Sequence, residues 1–238
     1  MTADVAVVVL AAGSGSRFGH ARNKAYLPLA GRPVVSWSLS AAAGLRGLRR
    51  VLLVIAEHDR EQAEDAVAAA AADLGVLRVE LVAGGASRHA SEAHALEALA
   101  DDIGAGALAV VVIHDAARPL AATALFDAVV DAARVHGAAL PGRRRGSLVA
   151  TDHGRPLPGT MVAVQTPQAF RAAPLLAAYR AAATEAFEGT DTASCLERYS
   201  DLPVWVVPGT ADNVKVTFAP DLAAAERLLA ARAAEPPA

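Results

Sequence analysis

Short runs of β-branched and aliphatic residues alternate along the chain with longer, alanine-rich segments carrying scattered charge. The runs Val5–Leu10, Val51–Ile55, Val79–Val82, Ala109–His114 and Val204–Val207 predict strands. Successive rather than alternate residues are apolar in them, as in strands buried on both faces. Between them, Val34–Leu45, Asp59–Ala72, Ser91–Ala100, Thr123–His136, Ala172–Phe187 and Asp221–Ala234 predict helices. Pro174 suits a first helical turn, and Thr123 and Asp59 suit N-caps. This alternation predicts an α/β fold with a mostly parallel sheet covered by helices on both faces.

One segment breaks the rhythm. Pro141–Pro158 is rich in proline and glycine, carries Arg143, Arg144 and Arg145 in succession, and has only a weak strand signal at Ser147–Thr151. An excursion of this length is usually functional or touches a partner. The tail Glu235–Ala238 is expected to fray.

Composition narrows the picture. With 238 residues, one large α/β domain is the expectation. The apolar fraction of 54% includes only 4% aromatic residues, much of the rest being alanine. No stretch of about 20 residues is free of charges and turn formers, so no transmembrane helix is expected. Val5–Ala12 follows Asp4 and runs into glycines, which suits a buried strand rather than a secretion signal. A net charge of −3 argues against a nucleic-acid binder held by bulk electrostatics. The single cysteine, Cys195, excludes an internal disulfide and a Cys-rich zinc site. It suits a reducing, cytoplasmic setting and reads as a core residue rather than a nucleophile. The seven histidines show no metal-ligand spacing on a credible helix.

In open parallel sheets, ligands bind beyond the carboxyl ends of the strands. After the first predicted strand comes Ala11-Ala12-Gly13-Ser14-Gly15-Ser16-Arg17-Phe18-Gly19, then Asn23-Lys24. Its glycines let backbone N–H groups approach an anion, and Arg17 and Lys24 add cations. Phe18 breaks the dinucleotide fingerprint and His20 breaks a P-loop. A plain turn with solvated cations is the bland alternative. Gly84-Gly85-Ala86-Ser87-Arg88-His89-Ala90-Ser91 follows the third strand, with Ser91 at or just inside a helix start. His114-Asp115-Ala116-Ala117-Arg118-Pro119 follows the fourth. An Asp ending a buried strand needs a partner, either Mg²⁺ shared with phosphate oxygens or a structural pair with Arg118. Asp212-Asn213-Val214-Lys215-Val216 places a carboxylate and a lysine around another predicted short strand, and Asp191 reads as a helix cap.

Taken in order, Leu10-Ala-Ala-Gly-x-Gly-x-Arg17 with Lys24, Gly84-Gly85-x-x-Arg88-x-x-Ser91, His114-Asp-Ala-Ala-Arg-Pro119, Thr166-Pro-Gln168, Thr190-Asp-x-Ala-Ser194 and Asp212-Asn-x-Lys-Val-Thr217 span nearly the whole chain. This set resembles the 2-C-methyl-D-erythritol 4-phosphate cytidylyltransferases of the non-mevalonate isoprenoid pathway. The resemblance implies a Rossmann-like, three-layer nucleotidyltransferase fold and a homodimer built through an arm at about residues 141–160. It also implies that Arg17, Lys24 and Lys215 act on the CTP phosphates, and that Ala11, Ala12, Gly13, Gly15, Gly85 and Ser91 line the nucleotide pocket. Asp115 would hold Mg²⁺ and Arg118 would shape the acceptor site. The arm departs from the family pattern. The family's Pro-Val-x-Asp-Thr-x-Lys reads Pro141-Gly142-Arg143-Arg144-Arg145-Gly146-Ser147 here, and its acceptor-phosphate arginine falls on Pro158. Arg145 or Arg155 could take over the acceptor phosphate, since arginine suits bidentate phosphate recognition. Three readings therefore stand: this cytidylyltransferase, one for another polyol phosphate such as ribitol 5-phosphate, or a non-catalytic nucleotide-binding relative.

Overall fold

The computed structural model describes residues 2–13, 23–146 and 159–234. The strands are β1 (Val5–Leu10), β2 (Pro28–Leu29), β3 (Arg32–Pro33), β4 (Leu48–Ile55), β5 (Val79–Ala83), β6 (Val110–Asp115), β7 (Ala138–Arg144), β8 (Val162–Val164), β9 (Gln168–Arg171) and β10 (Val204–Pro208). The helices are α1 (Val34–Ala43), α2 (Arg60–Ala69), α3 (Ala71–Leu74), α4 (Arg88–Ala98), α5 (Ala100–Gly104), α6 (Thr123–His136), α7 (Ala172–Thr184), α8 (Thr192–Tyr199) and α9 (Ala219–Ala234).

The main sheet runs β10-β7-β9-β6-β1-β4-β5, with β8 beside the far end of β7, while β2 and β3 form a separate small hairpin. β1 pairs in parallel with both β4 and β6, and β9 is antiparallel to β6 and β7. The expected mostly parallel α/β architecture is therefore present.

The pleat of β1 explains why its run is continuously apolar. Val5, Val7 and Val9 pack with α1, α2, α3 and α6 residues on one face, including Leu39, Ala66, Leu74 and Phe126. Ala6 and Val8 meet α4, α7 and α8 on the other, including Leu96, Leu175 and Leu196. Alternate side chains point to opposite faces, and here both faces are dry. A smaller cluster of Leu29, Val34, Leu120, Val216 and Ala225 seats α9. Cys195 belongs to the second core cluster, and burial pushes its thiol up to about 11. Among the described residues, no helix is long and apolar enough to cross a membrane.

Several local expectations need correction. Thr123 opens α6 but does not cap it; its hydroxyl donates to Ala41 O at 2.8 Å, so tertiary contact with α1 outcompetes local capping. Asp59 stands before α2 without capping it, because its carboxylate accepts from Asn23 Nδ2 at 2.8 Å. Residues 212–216 form no strand, because side chains and a distant loop take their backbone groups. Arg118 and Gln165 donate to Asn213 O, and Val216 N donates to Ala117 O. The break at Pro141 is really the second half of β7, whose residues 142–144 pair with β8. Asp191 is a cap as expected, forming a capping box with Ser194 at the start of α8. The Ser147–Thr151 strand signal and the Glu235–Ala238 tail lie outside the described residues.

Candidate active site

The sheet order reverses at β1. The chain steps from β1 to β4 and β5 on one side, and β6 lies on the other. Crevices at such points lie beyond the carboxyl ends of the strands. Here a cavity of about 360 Å³ is walled by Ala11, Ala12 and Gly13 after β1, Gly85 to Arg88 after β5, and Asp115 to Ala117 ending β6. Asn23, Lys24, Ser91 and Lys215 complete the wall.

Two glycines set how closely these loops meet. A Cβ on Gly84 would lie 2.5 Å from Ala12 Cβ, and one on Gly85 would lie 2.4 Å from Ala90 Cβ. Gly85 N also donates to Ser91 Oγ at 3.0 Å, and that hydroxyl donates to Ser87 O at 2.9 Å. Ser87 is the N-cap of α4, accepting from Ala90 N. Gly85→Ala should therefore push the first turn of α4 outward and lower CTP affinity by about tenfold or more. Titration calorimetry checks this, and wild-type affinity would mean that nucleotide does not use this wall.

Lys24 is held by what surrounds it. Asn23 is buried, donates to Ala11 O at 2.6 Å and to Asp59, and accepts from Ala25 N at 3.1 Å. These bonds tie the short 3₁₀ turn Lys24–Tyr26 to the end of β1.

At the floor lies Asp115, with its side chain 8% exposed and three cations around it. Arg88 pairs with Oδ1, Lys215 Nζ lies 2.7 Å from Oδ2, and Arg118 Nε lies 3.7 Å from Oδ2. Its backbone N–H donates to Thr166 Oγ1 at 3.0 Å. Burial disfavours its charge, but Arg88 and Lys215 overcome this and hold the carboxyl well below the usual carboxylate range. Burial lowers Arg118, whose guanidinium donates to Asn213 O at 2.8 Å. The His114 imidazole is pushed down to about 4 by burial and stays neutral.

The structure thus gathers Ala11, Ala12, Gly13, Lys24, Gly85, Ser91, Asp115 and Lys215 around one cavity. Arg118 lies behind it, bracing Asp115 and the segment that carries Lys215. Arg145 follows β7, away from the cavity wall, its backbone N–H donating to Met161 O. Arg17, Gly15 and Arg155 lie outside the described residues. The sequence reading gave no role to Arg88, Asn23 or Glu92. The signal was present for Arg88: a cation in the first turn of a helix opposes the macrodipole unless something offsets it.

A metal can be tested against this donor set. Among the described residues no group of three or more His, Cys, Asp or Glu is placed to hold one. Asp115 alone, among the described residues, supplies carboxylate oxygen to the cavity wall. Hard Mg²⁺ commonly takes one or two carboxylates and completes its shell with phosphate and water. The residues fit a cation arriving with a triphosphate, with Oδ2 of Asp115 paired here to the partly exposed Lys215.

Sequence comparison places this arrangement. The model of the 2-C-methyl-D-erythritol 4-phosphate cytidylyltransferase (IspD) family matches residues 5–231. A protein of that name from Cereibacter sphaeroides is 42% identical over 230 residues, covering 94% of this chain and 96% of its own. The chain belongs to the 2-C-methyl-D-erythritol 4-phosphate cytidylyltransferase family. It is accordingly an enzyme of the nucleotidyltransferase class. A cytidylyltransferase of the same name from Geobacillus kaustophilus is 35% identical, covering 96% of this chain and 98% of its own. Among solved structures, the cytidylyltransferase from Thermus thermophilus superposes with a TM-score of 0.69 at 30% identity, covering 94% of this chain and 98% of that one. The 4-diphosphocytidyl-2C-methyl-D-erythritol synthase from Anaerococcus prevotii gives 0.79 at 25% identity, covering 95% and 98%.

Proposed function

We propose that the protein transfers CMP from CTP to 2-C-methyl-D-erythritol 4-phosphate, releasing pyrophosphate and forming the CDP-linked polyol of isoprenoid precursor synthesis. The observation that carries this reading is the cationic cavity at the β1/β6 switch point, within a chain of this family. Among the described residues, Arg88, Arg118 and Lys215 outnumber Asp115 and Glu92 by one charge, and Lys24 lines the same cavity. That surplus suits a triphosphate.

Nucleotidyl transfer needs positioning and charge neutralisation more than covalent help from protein. An acceptor phosphate oxygen, already anionic, attacks the α-phosphorus in line; the new P–O bond forms as the bond to the β-phosphate bridging oxygen breaks. No general base is needed. Lys24 and Lys215 hold the phosphates and stabilise the growing negative charge, with Arg17 on the same glycine loop. Ala11 to Gly13, Gly85 and Ser91 form the nucleotide's wall, a role the family resemblance extends to Gly15. Mg²⁺ held at Asp115 would neutralise the triphosphate and favour departure of pyrophosphate.

The acceptor side rests on the arm and a second copy of the chain. Val164, Trp205 and Val206 leave apolar surface exposed along β8 and β10, beside the strand that leads into the arm. This supports a homodimer in which one protomer's arm reaches its partner's site. The altered arm favours one second reading, a cytidylyltransferase for another polyol phosphate such as ribitol 5-phosphate. Purified protein with Mg²⁺ and CTP, offered each acceptor separately, should release pyrophosphate fastest with 2-C-methyl-D-erythritol 4-phosphate. A faster rate with ribitol 5-phosphate would select the second reading, and silence with every acceptor would overturn both. Arg145→Ala and Arg155→Ala should each raise the acceptor KM by about fivefold or more while sparing the KM for CTP. If neither moves it, the arm's arginines do not hold the acceptor phosphate.

A further inference from the structure

Behind the cavity, a second carboxylate is wholly buried. Glu92 lies one helical turn after Arg88 on α4 and is 1% exposed. Its Oε1 accepts from Thr192 Oγ1 at 2.8 Å and lies 3.0 Å from Arg88 Nε. Its Oε2 accepts from the Tyr179 hydroxyl. The Tyr179 ring is fixed in turn by stacking on His89, with centroids 4.5 Å apart. Thus α7 and α8 hydrogen-bond both oxygens of Glu92, which lies against the Arg88 guanidinium.

We propose that Glu92 is a positioning residue for nucleotidyl transfer: it fixes Arg88 on one oxygen of Asp115, leaving the other free to exchange from Lys215 to an incoming metal–triphosphate. The inference rests on the cytidylyl-transfer reading above. Arg88 pairs with Oδ1 through Nη1, and its Nε lies 3.0 Å from Glu92 Oε1 as an ion pair without a directed hydrogen bond, so the guanidinium sits between two carboxylates. Lys215, 39% exposed at its side chain, holds Oδ2 from the solvent side. The two oxygens of Asp115 therefore differ in their neighbours. Oδ1 is capped by Arg88, which the buried Glu92 flanks, and Oδ2 by Lys215 on a long unbranched chain, with Arg118 Nε farther off at 3.7 Å.

Burial outweighs the downward pull of Arg88 and the two hydroxyls and raises the Glu92 carboxyl, with Asp115 pushing the same way; both of its oxygens nonetheless accept hydroxyl hydrogen bonds, as the ionised form does. Without the Glu92 charge, Arg88 has Asp115 as its sole carboxylate partner. It can then spread over both oxygens or swing to the phosphates, and either move spoils the exchangeable position. A merely structural Glu92, joining α4 to α7 and α8, would govern folding and nothing more.

Glu92→Gln keeps shape and removes charge. In the folded variant, kcat should fall about tenfold or more while the KM for CTP stays within about threefold of wild type. The gain in CTP affinity on adding Mg²⁺, read by calorimetry without acceptor, should shrink about threefold or more. Tyr179→Phe and Thr192→Val each delete one clamp and should move both readouts the same way, by less. A lowered melting temperature with wild-type kcat and wild-type Mg²⁺ gain overturns the proposal. So does a wild-type enzyme whose CTP binding ignores Mg²⁺. If Glu92→Gln does not fold, the two clamp variants decide, and wild-type behaviour in both overturns it. A wild-type chain that binds CTP with Mg²⁺ but releases no pyrophosphate sinks the transfer reading instead, and the calorimetric arm still judges Glu92.

Discussion

Asp115→Asn should lower turnover about a hundredfold or more and also destabilise the fold by about 3–5 kcal/mol. Both effects have one origin. Among the described residues, the carboxylate is the sole anion that Lys215 and Arg118 reach, and it shares Arg88 with Glu92. An amide of the same shape offers one acceptor oxygen and turns an NH₂ toward a cation, so one contact becomes donor against donor. The stability loss follows because removing one partner of a buried ion cluster leaves the others uncompensated. Thermal unfolding measures the stability loss, and pyrophosphate release well below the midpoint measures the chemistry on folded protein. Near-normal turnover there would show that the reacting phosphates lie elsewhere.

What could be read in advance follows from the range of each interaction. β1 and β6 were legible because both their faces are apolar. Asp115 was legible because a carboxylate ending such a strand needs a partner, and the glycine pair because loops meet there within a methyl group's width. Of the partners of Asp115, Arg118 was legible at three residues' distance, but Arg88 was not: it stands 27 residues away in sequence, at the start of α4, and nothing local pairs the two. Glu92 was hidden because one charged residue on a helix reads as a solvated face, and only the packing of α7 and α8 buries it. β7 and β9 were missed for a different reason. β7 ends in Pro141, Gly142 and two arginines, and β9 is only four residues long, so long-range pairing rather than propensity makes them strands. Lys215 was found at the right position for the wrong local structure. Side chains of Arg118 and Gln165, not a strand ladder, hold the segment that carries it.

Lys24→Ala should also reduce turnover about a hundredfold or more, with a much smaller loss of stability than Asp115→Asn. Lys24 is half-buried on the cavity wall, whereas its neighbours Asn23 and Ala25 are buried. The turn is fastened by those neighbours: Asn23 bridges Ala11 O and the Asp59 carboxylate. The lysine side chain lines the cavity, where its charge can serve a phosphate, while Asn23 and Ala25 carry the turn's burial. Asn23→Ala is the complementary case. It keeps the lysine but leaves buried Asp59 and Ala11 O without their donor, at a cost of about 1–3 kcal/mol. Its turnover should fall less than that of Lys24→Ala while its melting temperature falls more. Lys24→Arg should not restore full activity, because a planar fork replaces a compact point charge where backbone and glycine approach the phosphates closely. Steady-state kinetics beside thermal unfolding on the three variants separates the two duties. Equal losses of stability in Lys24→Ala and Asn23→Ala would mean that the lysine is part of the fastening, and wild-type turnover in Lys24→Ala would remove it from the reaction.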